Sequence, residues 1–146
     1  MAITSAICNS FKQEILEAEH NFTASTGNTF KIALYTSSVT LGASTTAYSA
    51  SNEITNSSGT AYTAGGASLT SVTPTLDSST AVCDFSDVSW TSASFTANGC
   101  LIYNDSHSTD AAVCAVAFGG DKTVSSGTFT VQFPAAAATT AIVRIA

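Results

Sequence analysis

Charge is what this chain most conspicuously lacks. Of its 146 residues, 10% are Asp, Glu, Lys or Arg, against roughly 25% in an ordinary soluble domain. Four Lys and Arg stand against ten Asp and Glu, a formal net charge of −6. The cations Lys12, Lys31, Lys122 and Arg144 are scattered along the sequence. A phosphate-binding surface needs clustered cations, so no nucleic-acid partner is expected. Long apolar runs are missing as well. Mean hydropathy is positive, at +0.26, yet no stretch approaches the ~18 consecutive apolar residues of a membrane span, and no membrane partner is expected.

Other absences narrow the compartment. The opening MAITSAICNSFKQEILEAEH has no basic leading region, and Lys12, Glu14, Glu17 and Glu19 interrupt any apolar run in it. It does not read as a secretory signal. Four cysteines, Cys8, Cys83, Cys100 and Cys114, include no Cys-x-x-Cys pair. Without a signal they read as free, mostly buried thiols in a reducing compartment. A Cys100–Cys114 disulfide stands as the alternative if their strands are neighbours.

What remains is a short helical pattern followed by Ser, Thr, Ala and Gly in short alternating segments. Ile3, Ile7, Phe11, Ile15, Ala18 and Phe22 recur every three or four residues, the stripe of an amphipathic helix from Ser5 to about Phe22. Thr4 or Ser5 is the candidate N-cap, and Gly27-Asn28 ends the pattern. The helix either covers one face or edge of the following β-domain or inserts into a neighbouring subunit. Phe30–Tyr35 alternates as a strand, with Phe30, Ile32 and Leu34 on one face. Ser37–Thr70 has few large apolar residues and reads as an extended arm or excursion containing one or two short strands.

Strands are expected at Ser71–Leu76, Thr80–Phe85, Val88–Trp90 and Ser94–Tyr103. Pro74 places the first at an edge or irregularity, and Asn98-Gly99 marks a bulge inside the last. Ala111–Gly119 is a nearly continuous apolar run, the pattern of a doubly buried strand, with Gly120-Asp121-Lys122 as a tight connection after it. Thr128–Phe133 alternates cleanly with Phe129, Val131 and Phe133 inward, and Ala141–Ala146 is a final strand. The expected fold is mainly β: one antiparallel β-sandwich (jelly-roll or Ig-like) with a single N-terminal α-helix. Residues 1–146 form one domain, with helix and loop over 1–26, sandwich over 27–146, and the excursion over 37–70. At this length about 70% of the unfolded surface is buried on folding.

No reactive constellation stands out. His20, at the end of the helical pattern, is placed to complement the negative end of the helix dipole. His107 lies in the polar turn Asn104–Asp110, whose oxygens and imidazole suggest a cation site, but the turn lacks the Glu and Gly positions of a calcium loop. Asp84 and Asp87 are three apart on an extended segment, so they face apart rather than across a substrate and read as turn caps. No catalytic, cofactor-binding or metal-binding residue is assigned, no cofactor is expected, and the chain does not read as an enzyme. Tyr35, Tyr48 and Tyr62 sit among small residues. Tyr35 is expected on the outward face opposite Ile32 and Leu34, and Tyr62 in the core. All three are candidate partner contacts, because tyrosines among Ser, Thr and Gly make adaptable surfaces.

Several stretches together resemble a family of small virion structural proteins of tailed bacteriophages. They are the opening helix with Phe30-Lys31-Ile32-Ala33-Leu34-Tyr35-Thr36-Ser37, Thr46-Ala47-Tyr48, Asn52-Glu53-Ile54 and Ala61-Tyr62-Thr63-Ala64-Gly65-Gly66. Further along come Asp84-Phe85-Ser86-Asp87-Val88-Ser89-Trp90, Ala97–Asn104, Phe118–Thr123 and Phe129–Pro134. The cysteines at 83, 100 and 114 depart from the small or aliphatic residues more usual there. The resemblance implies a particle component assembled in the host bacterial cytoplasm. Within that, it implies a capsid decoration (cement) protein on the capsid exterior that binds the major capsid protein, often as a homotrimer. The alternative is a tail or head-fibre module binding a host surface carbohydrate, with Trp90 or Tyr103 lining a shallow site.

Overall fold

The computed structural model describes residues 1–55 and 59–146. Its element order is β1 (Ala6–Ile7), α1 (Asn9–Leu16), β2 (Phe30–Tyr35), β3 (Ala67–Ser68), β4 (Ser71–Asp77), β5 (Thr80–Phe85), β6 (Val88–Asn104), β7 (Ala111–Val131) and β8 (Val143–Ile145). The strands form a five-stranded sheet in the order β1-β7-β6-β2-β3 and a three-stranded sheet in the order β4-β5-β8, with antiparallel pairing throughout. The expected antiparallel sandwich with one N-terminal helix is present. Its two sheets meet through aromatic rings: Phe30 stacks on Phe22 at 4.3 Å and contacts Phe85 at 5.9 Å between centroids, and Phe85 touches Phe133 at 5.5 Å.

The helix is shorter than the Ser5–Phe22 stripe. Ala6 and Ile7 pair with Ala115 and Cys114 of β7, so the sheet claims the first residues of the pattern. Cys8 rather than Thr4 or Ser5 is the N-cap, and no side chain caps the helix. The Ser5 hydroxyl accepts instead from the Ala117 N–H at 2.9 Å, and the Asn9 N–H donates to the Ala43 carbonyl at 2.8 Å. At the other end Ala18 takes a left-handed conformation (φ 61°) and closes the helix. Ile3, Phe11 and Phe22 are buried, so most of the stripe does face the core, but through strand, helix and loop in turn.

Two strand pairs expected as separate pieces are continuous. Val88–Trp90 and Ser94–Tyr103 both belong to β6, and Ala111–Gly119 runs on through Thr128 to Val131 as β7. The Gly120-Asp121-Lys122 connection is therefore not a turn. Gly99 pairs with Ala117 and Ala97 with Lys122, so four residues of β7 stand opposite Asn98 in a wide bulge. Gly119 and Gly120 take φ of 76° and 133° within it, and the Asn98 amide donates to Asp121 across it at 2.8 Å. The bulge expected at Asn98-Gly99 is present, and it creases both strands of the hairpin at one level. A side chain at Gly99 would meet the Val116 carbonyl at 2.5 Å, which explains the glycine. Pro74 lies in the edge strand β4, at the register shift between Val72 and Thr75.

The 37–70 stretch is folded back on the sandwich; Asn56–Ser58 within it lie outside the described residues. Val39, Leu41, Ile54, Tyr62 and Leu69 are buried. The stretch covers the outer side of β2 almost residue by residue. Leu69 N–H donates to the Phe30 carbonyl, Ile54 N–H to the Leu34 carbonyl, and Thr36 N–H to the Asn52 carbonyl, at 2.8–3.0 Å. An open strand edge is a template for unwanted pairing, and this one is closed by its own chain.

Candidate interaction surface

Tyr35, Tyr48 and Tyr62 are brought close to one buried carboxylate, Glu53, which is 8% exposed. Tyr48 and Tyr62 hydroxyls donate to its two oxygens at 2.6 and 2.5 Å, and Gly65 N–H adds a third bond at 2.8 Å. Tyr35 donates to the Ser49 carbonyl at 2.7 Å, and Tyr103 to the Gly65 carbonyl at 2.6 Å while stacking on Tyr48 at 4.7 Å. Burial pushes all four phenols well above their ordinary value, helped by Glu53 at Tyr35, Tyr48 and Tyr62 and by Asp105 at Tyr103. A buried charge needs this many donors to be tolerated, so the cluster pins the excursion to the sheet.

The outward placement of Tyr35 is corrected by the fold. Alternation does set it opposite Leu34, but the excursion covers that second face too, and Tyr35 is 1% exposed. Tyr62 is a core residue, as expected, and Tyr48 is half-buried. Only Tyr48 therefore retains appreciable surface for a partner. No chemistry-bearing motif points to Glu53, but the sequence does carry a signal for it: it is the one charged residue between Ser37 and Thr70.

His20 is not at a helix end, since α1 stops at Leu16. It is buried, with Nε2 at 2.7 Å from Glu14 Oε2 and Nδ1 accepting from the Asn104 amide at 3.1 Å. That pair of contacts fits the tautomer protonated on Nε2. His107 stacks over it at 6.2 Å and lies 3.4 Å from Glu19. Among the described residues no group of three or more His, Cys, Asp or Glu could hold a metal ion. Asp87 caps the approaching strand by accepting from Phe133 N–H at 2.9 Å, and Asp84 accepts from Phe85 N–H at 2.8 Å. All four cysteines are free. Cys100 pairs with Val116 and Cys114 with Ile102, so the two thiols lie diagonally across β6 and β7.

An open groove lies where α1 faces the three-stranded sheet. It holds about 450 Å³ and runs between Phe11, Ile15 and Ala18 on one side and Pro74, Ala81, Cys83, Val143 and Ile145 on the other. Register aligns Leu76, Ala81 and Ile145 in one row across β4, β5 and β8. Leu76 and Ile145 are 73% and 56% exposed, and Leu16 on the helix is 88% exposed. β8 is an edge strand, and among the described residues no backbone group pairs with its outer side. Pro74 interrupts the opposite edge on β4, whereas β8 is a three-residue edge strand with Arg144 at its centre. Chemically the site offers apolar contact and a strand edge, with Glu14, Glu17 and Glu19 nearby in sequence on the helix side.

Comparison with protein-family models, with curated proteins and with solved structures finds no match in any of the three. The reading of function rests on the chain itself.

Proposed function

We propose that this chain is a structural protein of a tailed-phage particle, most specifically a capsid decoration protein that clamps neighbouring major capsid subunits. The observation that carries this reading is the Leu76–Ala81–Ile145 row beside the unpaired edge of β8. Large apolar side chains exposed together mark a protein-docking surface, and an open edge accepts a strand from a partner. The resemblance to small virion proteins supplies the partner. A clip that binds only the expanded shell stabilises it by mass action, and many copies turn modest contacts into a large collective effect. Homotrimeric self-association belongs to the same proposal and is read by sedimentation equilibrium.

The carbohydrate-binding alternative loses its platform. Trp90 and Tyr103, the aromatics that would stack on a sugar, are 7% and 2% exposed. The deciding experiment adds purified protein to expanded heads assembled without it, followed by sedimentation and gel stoichiometry. Saturable binding in many copies per head is expected. No binding to heads, with a clear hit on a glycan array, would overturn the reading.

A further inference from the structure

Against the creased β6–β7 hairpin lies a second apolar groove, open to solvent on one side, that the docking surface does not use. It holds about 470 Å³ and is walled by Cys100, Ile102, Val116 and Phe118 below the crease and by Phe129 to Phe133 of the chain returning beyond it. That volume falls within the range of small-molecule sites, which are mostly apolar with a few placed polar groups. Lys122 lines it. The other cationic side chains are engaged: Lys12 with Asn9 at 3.3 Å, Lys31 with Asp105 at 3.2 Å, and Arg144 with the Ala138 carbonyl at 2.8 Å. Among the described residues Lys122 has no hydrogen-bond or ion-pair partner. In a chain of net charge −6, an unpaired lysine beside an apolar cavity is the feature that selects the occupant.

We propose that this cavity binds a single-chain amphipathic carboxylate, its tail between Val116 and Phe129 and its head at Lys122. The cavity accepts the apolar chain by burial, and the ammonium at the rim supplies charge complementarity to the one end that stays near water. A neutral alcohol of equal length shares the first interaction and lacks the second. Binding here is independent of the capsid proposal, because the Leu76–Ile145 row is formed by other strands.

The test uses the full chain with decanoate and decanol as probes, read by calorimetry and by methyl NMR of Ile102, Val116, Val131 and Ile142. Saturable decanoate binding is expected, with shifts confined to those methyls. Lys122→Gln should weaken decanoate roughly three- to fivefold, the range of an exposed ion pair, and leave decanol unchanged. Val116→Phe, which fills the cavity, should abolish both. Because Lys122 is exposed, the Lys122→Gln variant folds and decides the question even if Val116→Phe does not. Absence of saturable decanoate binding, equal loss of both probes in Lys122→Gln, or shifts centred elsewhere would each overturn the proposal.

Discussion

The Tyr62 hydroxyl stands between Glu53 and the backbone of Leu34, donating to Glu53 Oε1 at 2.5 Å while accepting from the Leu34 N–H at 2.9 Å. A side chain thus supplies the acceptor that a neighbouring strand would give at this point on the edge of β2. Tyr62→Phe leaves that N–H without its acceptor and Glu53 Oε1 with the Gly65 N–H alone, and should cost about 1–3 kcal/mol. Glu53→Ala strands two phenols and the Gly65 N–H together and should cost about 2–4 kcal/mol. Because both act on one network, the double variant should fall short of the sum by about 1 kcal/mol. Urea unfolding of the four proteins measures all three values; strict additivity would show that the two residues are not coupled.

Gly66 and Gly119 separate close approach from backbone conformation. Both have positive φ, 79° and 76°. A Cβ on Gly66 would lie 1.8 Å from the Ile32 carbonyl oxygen, whereas nothing lies within 4 Å of one on Gly119. Gly119→Ala should therefore cost only the left-handed penalty, about 1–2 kcal/mol. Gly66→Ala adds a clash with the β2 backbone and should cost about 3–5 kcal/mol, loosening β3. Chemical denaturation compares the two directly, and hydrogen exchange at Leu69 and Ile54 reports whether the cover of β2 has lifted.

These relationships show where the sequence is readable and where it is not. Elements that depend on near neighbours are legible: β2 runs over Phe30–Tyr35, as alternation predicts, and β5 over the expected Thr80–Phe85, although both of its faces carry apolar residues. The bulge at Gly99 is visible because Asn-Gly interrupts an apolar run. The helix start is not legible, because Ala6–Ile7 keeps its helical spacing while β7, more than a hundred residues away, takes it as a strand. Gly120-Asp121-Lys122 looks like a turn because its chain neighbours do not reveal that β6 creases opposite it. Tyr35 is misplaced for a related reason: period two says which side a residue faces, not whether a second layer covers that side. The docking row is assembled by register across three strands, and no local pattern announces it.

Alkaline pH should destabilise the fold through its thiols. Burial pushes Cys8 and Cys83 up to about 11 and Cys100 up to about 12, and lifts Cys114 as well, from an ordinary value of 9.0. The folded chain therefore keeps protons that the unfolded chain releases. Stability from this source is complete below pH 9, where both states are protonated, and is lost as pH rises from 9 through 11, the interval in which the unfolded state ionises first. Urea midpoints at pH 7, 9 and 10.5 should hold across the first interval and fall across the second. The raised phenols act in the same direction at still higher pH. In parallel, a thiol reagent at pH 8 should modify half-buried Cys83 before the three buried cysteines.

The exposed row offers a test in which attachment and stability part company. Leu76 and Ile145 are 73% and 56% exposed, so a charge at either position meets water rather than the core. Leu76→Asp and Ile145→Asp should each change stability by no more than about 0.5–1 kcal/mol. Ile145→Asp also places a carboxylate beside the open edge of β8, where charged side chains discourage strand addition. If the row docks onto capsid subunits, each variant should lower affinity for expanded heads at least tenfold, about 1.4 kcal/mol, with an unchanged unfolding midpoint. Thr128→Asp, on the exposed hydroxyl-rich side of β7, is the matched control and should bind as the unaltered protein does. Head binding that survives in both row variants but is lost in Thr128→Asp would move the docking surface from the three-stranded sheet to the long hairpin, where the Ser89–Thr130 and Thr96–Thr123 hydroxyl pairs at 2.8 Å give a polar rather than apolar contact face.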